Sequence, residues 1–408
     1  MSNFAQEMAR LIQPGQRIYV AGSSNEPTGL LNALATIELP ENLEFIQFPL
    51  PGLNSTDFTA WDTTTSLTTF FMTATLAKAD QSRVNYLPMQ MRAVFDYLTH
   101  NVDVYLLQVA KDANGVLRLG PNVDFHAGVM QSAKVIIAEL NSAFVAPTTA
   151  TQVDPTQIDY LFNSDRSLTA MPTPKIDDAA LKIGALVAQL VADGDCLQTG
   201  IGAIPAAILA QLKDKNDLGL HGGLIDDGGM SLIQAVNITG AVKAIDRSQH
   251  ITGMALGSAG LFDWLSRSGD VCFRGADYTH EVQVISQLEN FVSINSAVEV
   301  DLFGQVNAEV AGGRQISGTG GSVDFMRAAK SSKGGRSIVA MNATARGGSV
   351  SRIVPKVEMV TALRTDVDIV VTEFGAAHLK NLTNRARAQA LIDIAAPEFR
   401  QQLRDQLS

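Results

Sequence analysis

Apolar residues in this chain gather in short uninterrupted runs, each followed by a stretch in which they recur every three or four positions. RIYVAG (17–22), NLEFIQF (42–48), VDVYLLQVA (102–110) and AKVIIAEL (133–140) are runs of the first kind. The last two lack the alternation of a half-exposed strand; a run apolar throughout marks a parallel strand covered by helices on both faces. The pattern predicts strands at all four. SSNEP stops the first of them, and Pro27 suits the first turn of a helix over TGLLNALATI. PLPGLN and KDANG read as turns.

Around residues 164 to 178 the chain turns polar and aperiodic, with Pro172 and Pro174, and reads as a linker. Beyond it ALKIGALVAQLVADG predicts a helix stopped at Gly194. DCLQTG predicts a strand, IPAAILAQLKDK a helix, and DLGLHGG a strand running into a loop. FVSINSAVEVDL, SIVAMNA and DIVVTEFG predict further strands, and residues 384–407 a helical tail. Strand–helix alternation on both sides of the linker predicts two α/β domains with mainly parallel sheets, residues 1–170 and 171–408. Open α/β sheets bind ligands at their strand C-termini, which puts the expected site in the cleft between the two domains.

Composition removes several function classes. The 408 residues are 46% hydrophobic and 18% charged, which suits packed globular domains rather than disorder. A net charge of −10 with no Lys/Arg run argues against nucleic acid or an anionic membrane as partner. A small anion stays open, because backbone N–H groups bind phosphate without a basic surface. No leader pattern opens the sequence and no apolar stretch reaches about 18 residues, so neither export nor a membrane span is expected. Cys196 and Cys272 read as buried free thiols in a reducing cytoplasm. The six histidines are scattered singly, and no metal is expected.

Three loops could carry chemistry. LQTGIGAIPAAIL (197–209) is a strand, a glycine turn and a helix start; Gly200 and Gly202 leave room for an anion to approach the backbone. As a bare glycine pattern it is more often a tight, packed βα turn. GTGGSVDFMRAA (318–329) could aim the N–H groups of Gly320 and Gly321 at a developing oxyanion, or be a plain helix cap. DLGLHGGLIDDGG (217–229) holds His221, Asp226 and Asp227. An Asp–Asp pair there is a turn or helix cap more often than a dyad, and His221 a satisfied loop histidine more often than a base.

Taken in order, LQTGIGAIP, DLGLH…DDG, VSINSAVEVDLFGQVNAE, SGTGGSVDFMRAA, VSRIVP, VTEFGAAHLKN and RARAQALIDIAAPEFR resemble the acetyl-CoA hydrolase/transferase family, which includes the 4-hydroxybutyrate and butyryl CoA-transferases. The resemblance covers nearly the whole chain, and SNEPTGLLNAL and VDVYLLQVAKDANG match more loosely. It implies a homodimer with acyl-CoA and a carboxylic acid as substrates, and ping-pong transfer through a glutamyl-CoA thioester. It also implies coenzyme A contacts at Gly200, Ile201, Gly202, Ala203, Ile204, Val298, Gly320 and Gly321. The family's stretch after its histidine reads Ser or Thr, then the nucleophilic Glu, then Met-Ile-Ser-Asp-Gly. In this chain His221 keeps its match, Gly222 takes the Ser/Thr place, and Gly223 stands where the glutamate belongs.

A glycine cannot be a nucleophile. Three readings follow: Asp226 or Asp227 serves instead; the vacated space admits water or another acyl acceptor; or the protein binds acyl-CoA without turning it over. Glu26, Glu299 and Glu373 are other acids in family-like segments, and none has the position of a replacement nucleophile.

Overall fold

Parallel strands buried on both faces set the architecture, as the apolar runs require. The computed structural model describes residues 3–407, which form two compact units. Residues 3–172 and 252–278 make the first, residues 173–251 and 279–407 the second. The chain therefore leaves the first unit, returns to it for 252–278, and leaves again, a path that a single division near residue 170 does not contain.

The first unit is built on an eight-stranded sheet. Its strands are β1 (Arg17–Val20), β2 (Glu44–Gln47), β3 (Ser66–Thr69), β4 (Val84–Tyr86), β5 (Val104–Lys111), β6 (Leu117–Leu119), β7 (Val135–Asn141) and β8 (Tyr160–Ser164). They lie in the order β4-β3-β2-β1-β5-β7-β8, all parallel, with β6 antiparallel on β5. The four predicted strands are the central ones. Val104, Leu106, Leu107 and Val109 of β5 are fully buried, each side chain contributing roughly 1.5–3 kcal/mol. β3, β4 and β8 had no apolar run to announce them. SLTT is Thr-rich, VNY has three residues, and YLFNS is only alternately covered, as edge and near-edge strands can be.

The second unit carries a six-stranded sheet of β9 (Cys196–Thr199), β10 (Gly219–Leu220), β11 (Phe291–Asn295), β12 (Arg336–Ala340), β13 (Ile369–Thr372) and β14 (Gly375–His378). Its order is β10-β9-β11-β12-β13-β14, parallel except for the last pair. Three expectations are corrected here. FVSINSAVEVDL is two strands, Phe291–Asn295 and Glu299–Asp301, broken at Ser296–Val298. The helix Asp178–Leu190 ends on the extended Val191, and Gly194 (φ 79°) serves the turn beyond it. The tail helix stops at Asp393 and resumes at Arg400, on either side of a 3₁₀ turn that begins at Pro397. Cys196 is buried, its thiol pushed up to about 12 by burial, whereas Cys272 is half-buried rather than enclosed.

Residues 172–178 are exposed and free of regular structure up to the helix start at Asp178, so trypsin under native conditions should cut first after the exposed Lys175. Because 252–278 lies on the C-terminal fragment but packs with the first unit, the two fragments should stay together in gel filtration and separate only in denaturant. Separation in native buffer would contradict the assignment of 252–278.

Candidate functional site

The C-terminal ends of adjacent parallel strands in the second unit converge on one place. The loops after β9, β11 and β12 supply Ile201, Ser296 and Asn342 to an open depression of about 220 Å³, completed by Asp177, Ala180, Ala203, Ile204, Pro205 and Arg352. Gly200 and Gly202 have open space where a side chain would stand. Gly202 has φ +112° and ψ −171°, a conformation that excludes L side chains, so this turn requires glycine. It opens the helix Ala203–Ala210 with no side-chain cap, which leaves first-turn N–H groups and the positive end of the helix dipole for a ligand. Ile201 is 40% exposed on the same loop.

Arg352 and Asp177 are the charged residues lining this depression, and Asp177 Oδ1 accepts the Ala180 N–H at 2.8 Å. The Arg352 Nε is buried without a hydrogen-bond partner, and burial lowers the guanidinium's pKa, with Glu373 acting in the opposite direction. A desolvated cation beside uncapped amides fits an anionic group of an extended ligand. Sequence reasoning quoted VSRIVP without singling out its arginine; Ser296, Asn342 and Asp177 were missed as well.

The loop 217–229 divides its residues between the core and a helix cap. His221 is fully buried, its backbone N–H donating to Leu197 O (3.1 Å) and its ring edge-on to Phe291. Asp226 is the N-cap of the helix Asp227–Gln234, its Oδ1 accepting the Gly229 N–H at 2.9 Å. Burial raises its carboxyl pKa, partly offset by the Gly229 N–H, with Asp227 adding a smaller upward push. Asp227, in the first turn, is half-buried. None of the three lines the depression.

A second cluster forms around Gly223. A β-carbon on Gly223 would lie 2.9 Å from Cε1 and 3.0 Å from Nε2 of His280, and one on Gly321 would overlap Cδ2 and Nε2 of the same ring. His280 is 2% exposed; burial lowers its pKa to about 3, so the imidazole is neutral. Thr279 Oγ1 and His280 Nδ1 share a hydrogen bond of 2.9 Å, and the Phe325 ring packs against the imidazole at 4.5 Å. Gly321 is the uncapped N-cap of the helix Ser322–Ser331, and Gly320 beside it (φ +54°) faces open space. Gly223 and Gly321, read separately in the sequence, thus meet at one side chain that sequence reasoning did not single out.

Val298 follows β11 and donates its N–H to Asn307 O (2.8 Å). Glu299 accepts from Asn307 Nδ2 (3.0 Å) and from the Glu358 N–H (2.8 Å), and Glu373 accepts from the Ala343 N–H (2.7 Å). In the first unit Glu26 accepts from Gln47 Nε2 at 2.8 Å. Each of these acids is engaged in holding a loop or strand end. Among the described residues no cluster of His, Cys, Asp and Glu could hold a metal ion, and no helix is long and apolar enough to cross a membrane.

Residues 3–171 match the acetyl-CoA hydrolase/transferase N-terminal domain and residues 257–407 the C-terminal domain of the same family. The 4-hydroxybutyrate coenzyme A transferase of Clostridium kluyveri is 37% identical over 98% of this chain and 95% of its own length. The chain belongs to the acetyl-CoA hydrolase/transferase family. Solved structures agree with that family assignment. RipA from Yersinia pestis superposes with a TM-score of 0.89 at 30% identity, covering 98% of this chain and 95% of that one. A 4-hydroxybutyrate CoA-transferase from Porphyromonas gingivalis superposes at 0.82 with 29% identity, covering 98% and 94%. Both are two-domain α/β proteins, and this member of the family shares that fold.

Two outcomes follow for the 217–229 loop. Asp226→Ala should cost about 1 kcal/mol of stability by uncapping the helix, whereas Asp226→Asn keeps a cap. Because the folded-state pKa of Asp226 is raised, the stability linked to its protonation is present below the unfolded value near 3.9 and lost as pH climbs through the folded one. Parent and Asp226→Asn, compared by urea denaturation from pH 3.5 to 8, should therefore diverge in the variant's favour as pH rises. A gap that closes with rising pH contradicts the raised pKa.

Proposed function

We propose that this family member binds a short-chain acyl-CoA along Gly200–Ile204 and cleaves its thioester without a covalent glutamyl intermediate, water taking the place of the carboxylate nucleophile. One observation carries the reading: position 223 has no side chain, and the nearest groups to the space it would fill belong to His280 and Phe325, with no carboxylate among them. Covalent catalysis needs a nucleophile in van der Waals reach of the acyl carbon, and attack geometry tolerates little displacement.

The remaining machinery suits activated water. The uncapped N-terminus at Gly321 offers backbone N–H groups to a developing oxyanion, without rearrangement during the reaction. Arg352 and the first turn of the helix Ala203–Ala210 supply the anion contacts that hold the substrate's position. The 226–227 acids provide a proton acceptor. Since Asp226 is committed to its cap, Asp227 is the one assigned to this role. Gly202→Val, which forces a β-branched residue into φ +112°, should abolish coenzyme A binding in calorimetry while leaving the far-UV spectrum unchanged.

The deciding assay follows free thiol and isotope exchange together, with acetyl-CoA and acetate or butyrate. Slow thiol release, no exchange into the carboxylic acid, and no borohydride-trapped adduct on the peptide holding Gly223 are expected. Asp227→Asn should reduce thiol release by about 100-fold or more. Losing a covalent nucleophile leaves roughly 10³-fold rate enhancement over water from binding and oxyanion terms, which sets the scale of turnover. Rapid exchange by the parent protein, or equal thiol release from the Asp226→Ala, Asp227→Ala double variant, would overturn the proposal. Tight binding with no thiol release at all would identify a non-catalytic acyl-CoA binder instead.

A further inference from the structure

We infer that His280 fixes the reaction class of this protein: its imidazole fills the space that a side chain at position 223 requires, so Gly223 and His280 form one mutually exclusive pair. The inference rests on the reading of position 223 as the family's nucleophile site, and it names what stands there in the nucleophile's absence.

The geometry leaves the ring little freedom. A β-carbon at 223 would sit 2.9 Å from Cε1, closer than β-carbons approach other atoms in folded proteins, and 3.0 Å from Nε2, tighter than most such contacts. A flexible side chain could yield, but His280 is enclosed. Its Nδ1 is tied to Thr279 Oγ1 at 2.9 Å, and Phe325 lies against the ring at 4.5 Å. The backbone of Gly321 is so near that a β-carbon there would overlap Cδ2 and Nε2. Phe325 is itself 3% exposed and belongs to a cluster with Phe291, Leu288 and Ile285, so it cannot swing away cheaply. The imidazole is thus held between two glycine backbones with its Nε2 edge turned to both.

Two consequences follow. A side chain at 223, whatever its chemistry, must displace the imidazole, so a glutamate cannot be regained by one substitution. The Nε2 edge also stands next to the N-terminus at Gly321 that would face the thioester oxygen, so the group bordering the reacting carbon is a neutral imidazole rather than a carboxylate.

A substitution cycle reads the exclusion without any reference to coenzyme A. Gly223→Ala should lower the thermal midpoint by roughly 5 °C in the parent protein and by less than about 1 °C in a His280→Ala background. If Gly223→Ala does not fold alone, its recovery as folded protein when combined with His280→Ala counts the same way. Equal shifts in the two backgrounds, or failure of both to fold, would overturn the pair. The catalytic arm uses Gly223→Glu. Alone it should show no exchange between acetyl-CoA and acetate; combined with His280→Ala it should exchange at least tenfold faster and yield a borohydride-trapped adduct at residue 223. Exchange as fast from the single variant as from the double one would also overturn the inference. Absence of coenzyme A binding by the parent in calorimetry would instead defeat the functional reading, and the stability cycle would still judge the pair.

Discussion

The imidazole of His280 and a β-carbon at position 223 compete for the same volume. The contact is assembled from three separate parts of the sequence. Gly223 follows strand β10, His280 begins the chain's second passage into its unit, and Gly321 opens a helix that packs beside β11 and β12. None of the three has meaning alone. Close approach of two glycine backbones to one ring makes a tightly packed wall, and the ring's neutrality keeps that wall free of charge.

Charge enters at a different point on the same edge of the sheet. The protein carries a net charge of −10, and the Gly202 turn and the buried Arg352 Nε stand with Asp177 where three strand ends meet. Backbone amides and one desolvated guanidinium act at short range, so the acidic remainder of the molecule is screened beyond about 8–10 Å in ordinary salt. The depression lined by Arg352 and the 201–204 turn and the Gly223–His280–Gly321 contact are thus made by separate groups of residues.

The sequence made the central strands legible because burial on both faces writes a continuous apolar run, as in VYLLQVA of β5. Edge and near-edge strands write nothing so plain: Leu161 of β8 is 41% exposed, and β3 is the short, threonine-rich SLTT. At the site, Gly200, Gly202 and Gly321 were legible as glycines at helix starts, and Asp226 as a cap. His280 was not. A lone histidine after a short helix carries no periodic or spacing signal, and its partner's defining property is a missing side chain. Exclusion between residues far apart in sequence becomes visible only when the backbone brings both to one place. Arg352 was hidden for a related reason, since an unpaired Nε is a property of surroundings rather than of residue type.

The return of residues 252–278 to the first unit has a consequence for how the protein is made. During synthesis, residues 173–251 leave the ribosome before the first unit has received its last segment, so neither unit can close until residue 278 has emerged. Strands β9 and β10 must wait as well, because β11, the next partner of β9, begins only at Phe291. At elongation rates of about 5–20 residues per second, the hundred or so residues between the end of β8 and the end of 252–278 leave the first unit's eight-stranded sheet without its last packing segment, and β9 and β10 without β11, for several seconds or longer. A nascent chain paused in that interval carries β9 with the edge that β11 later covers still unpaired.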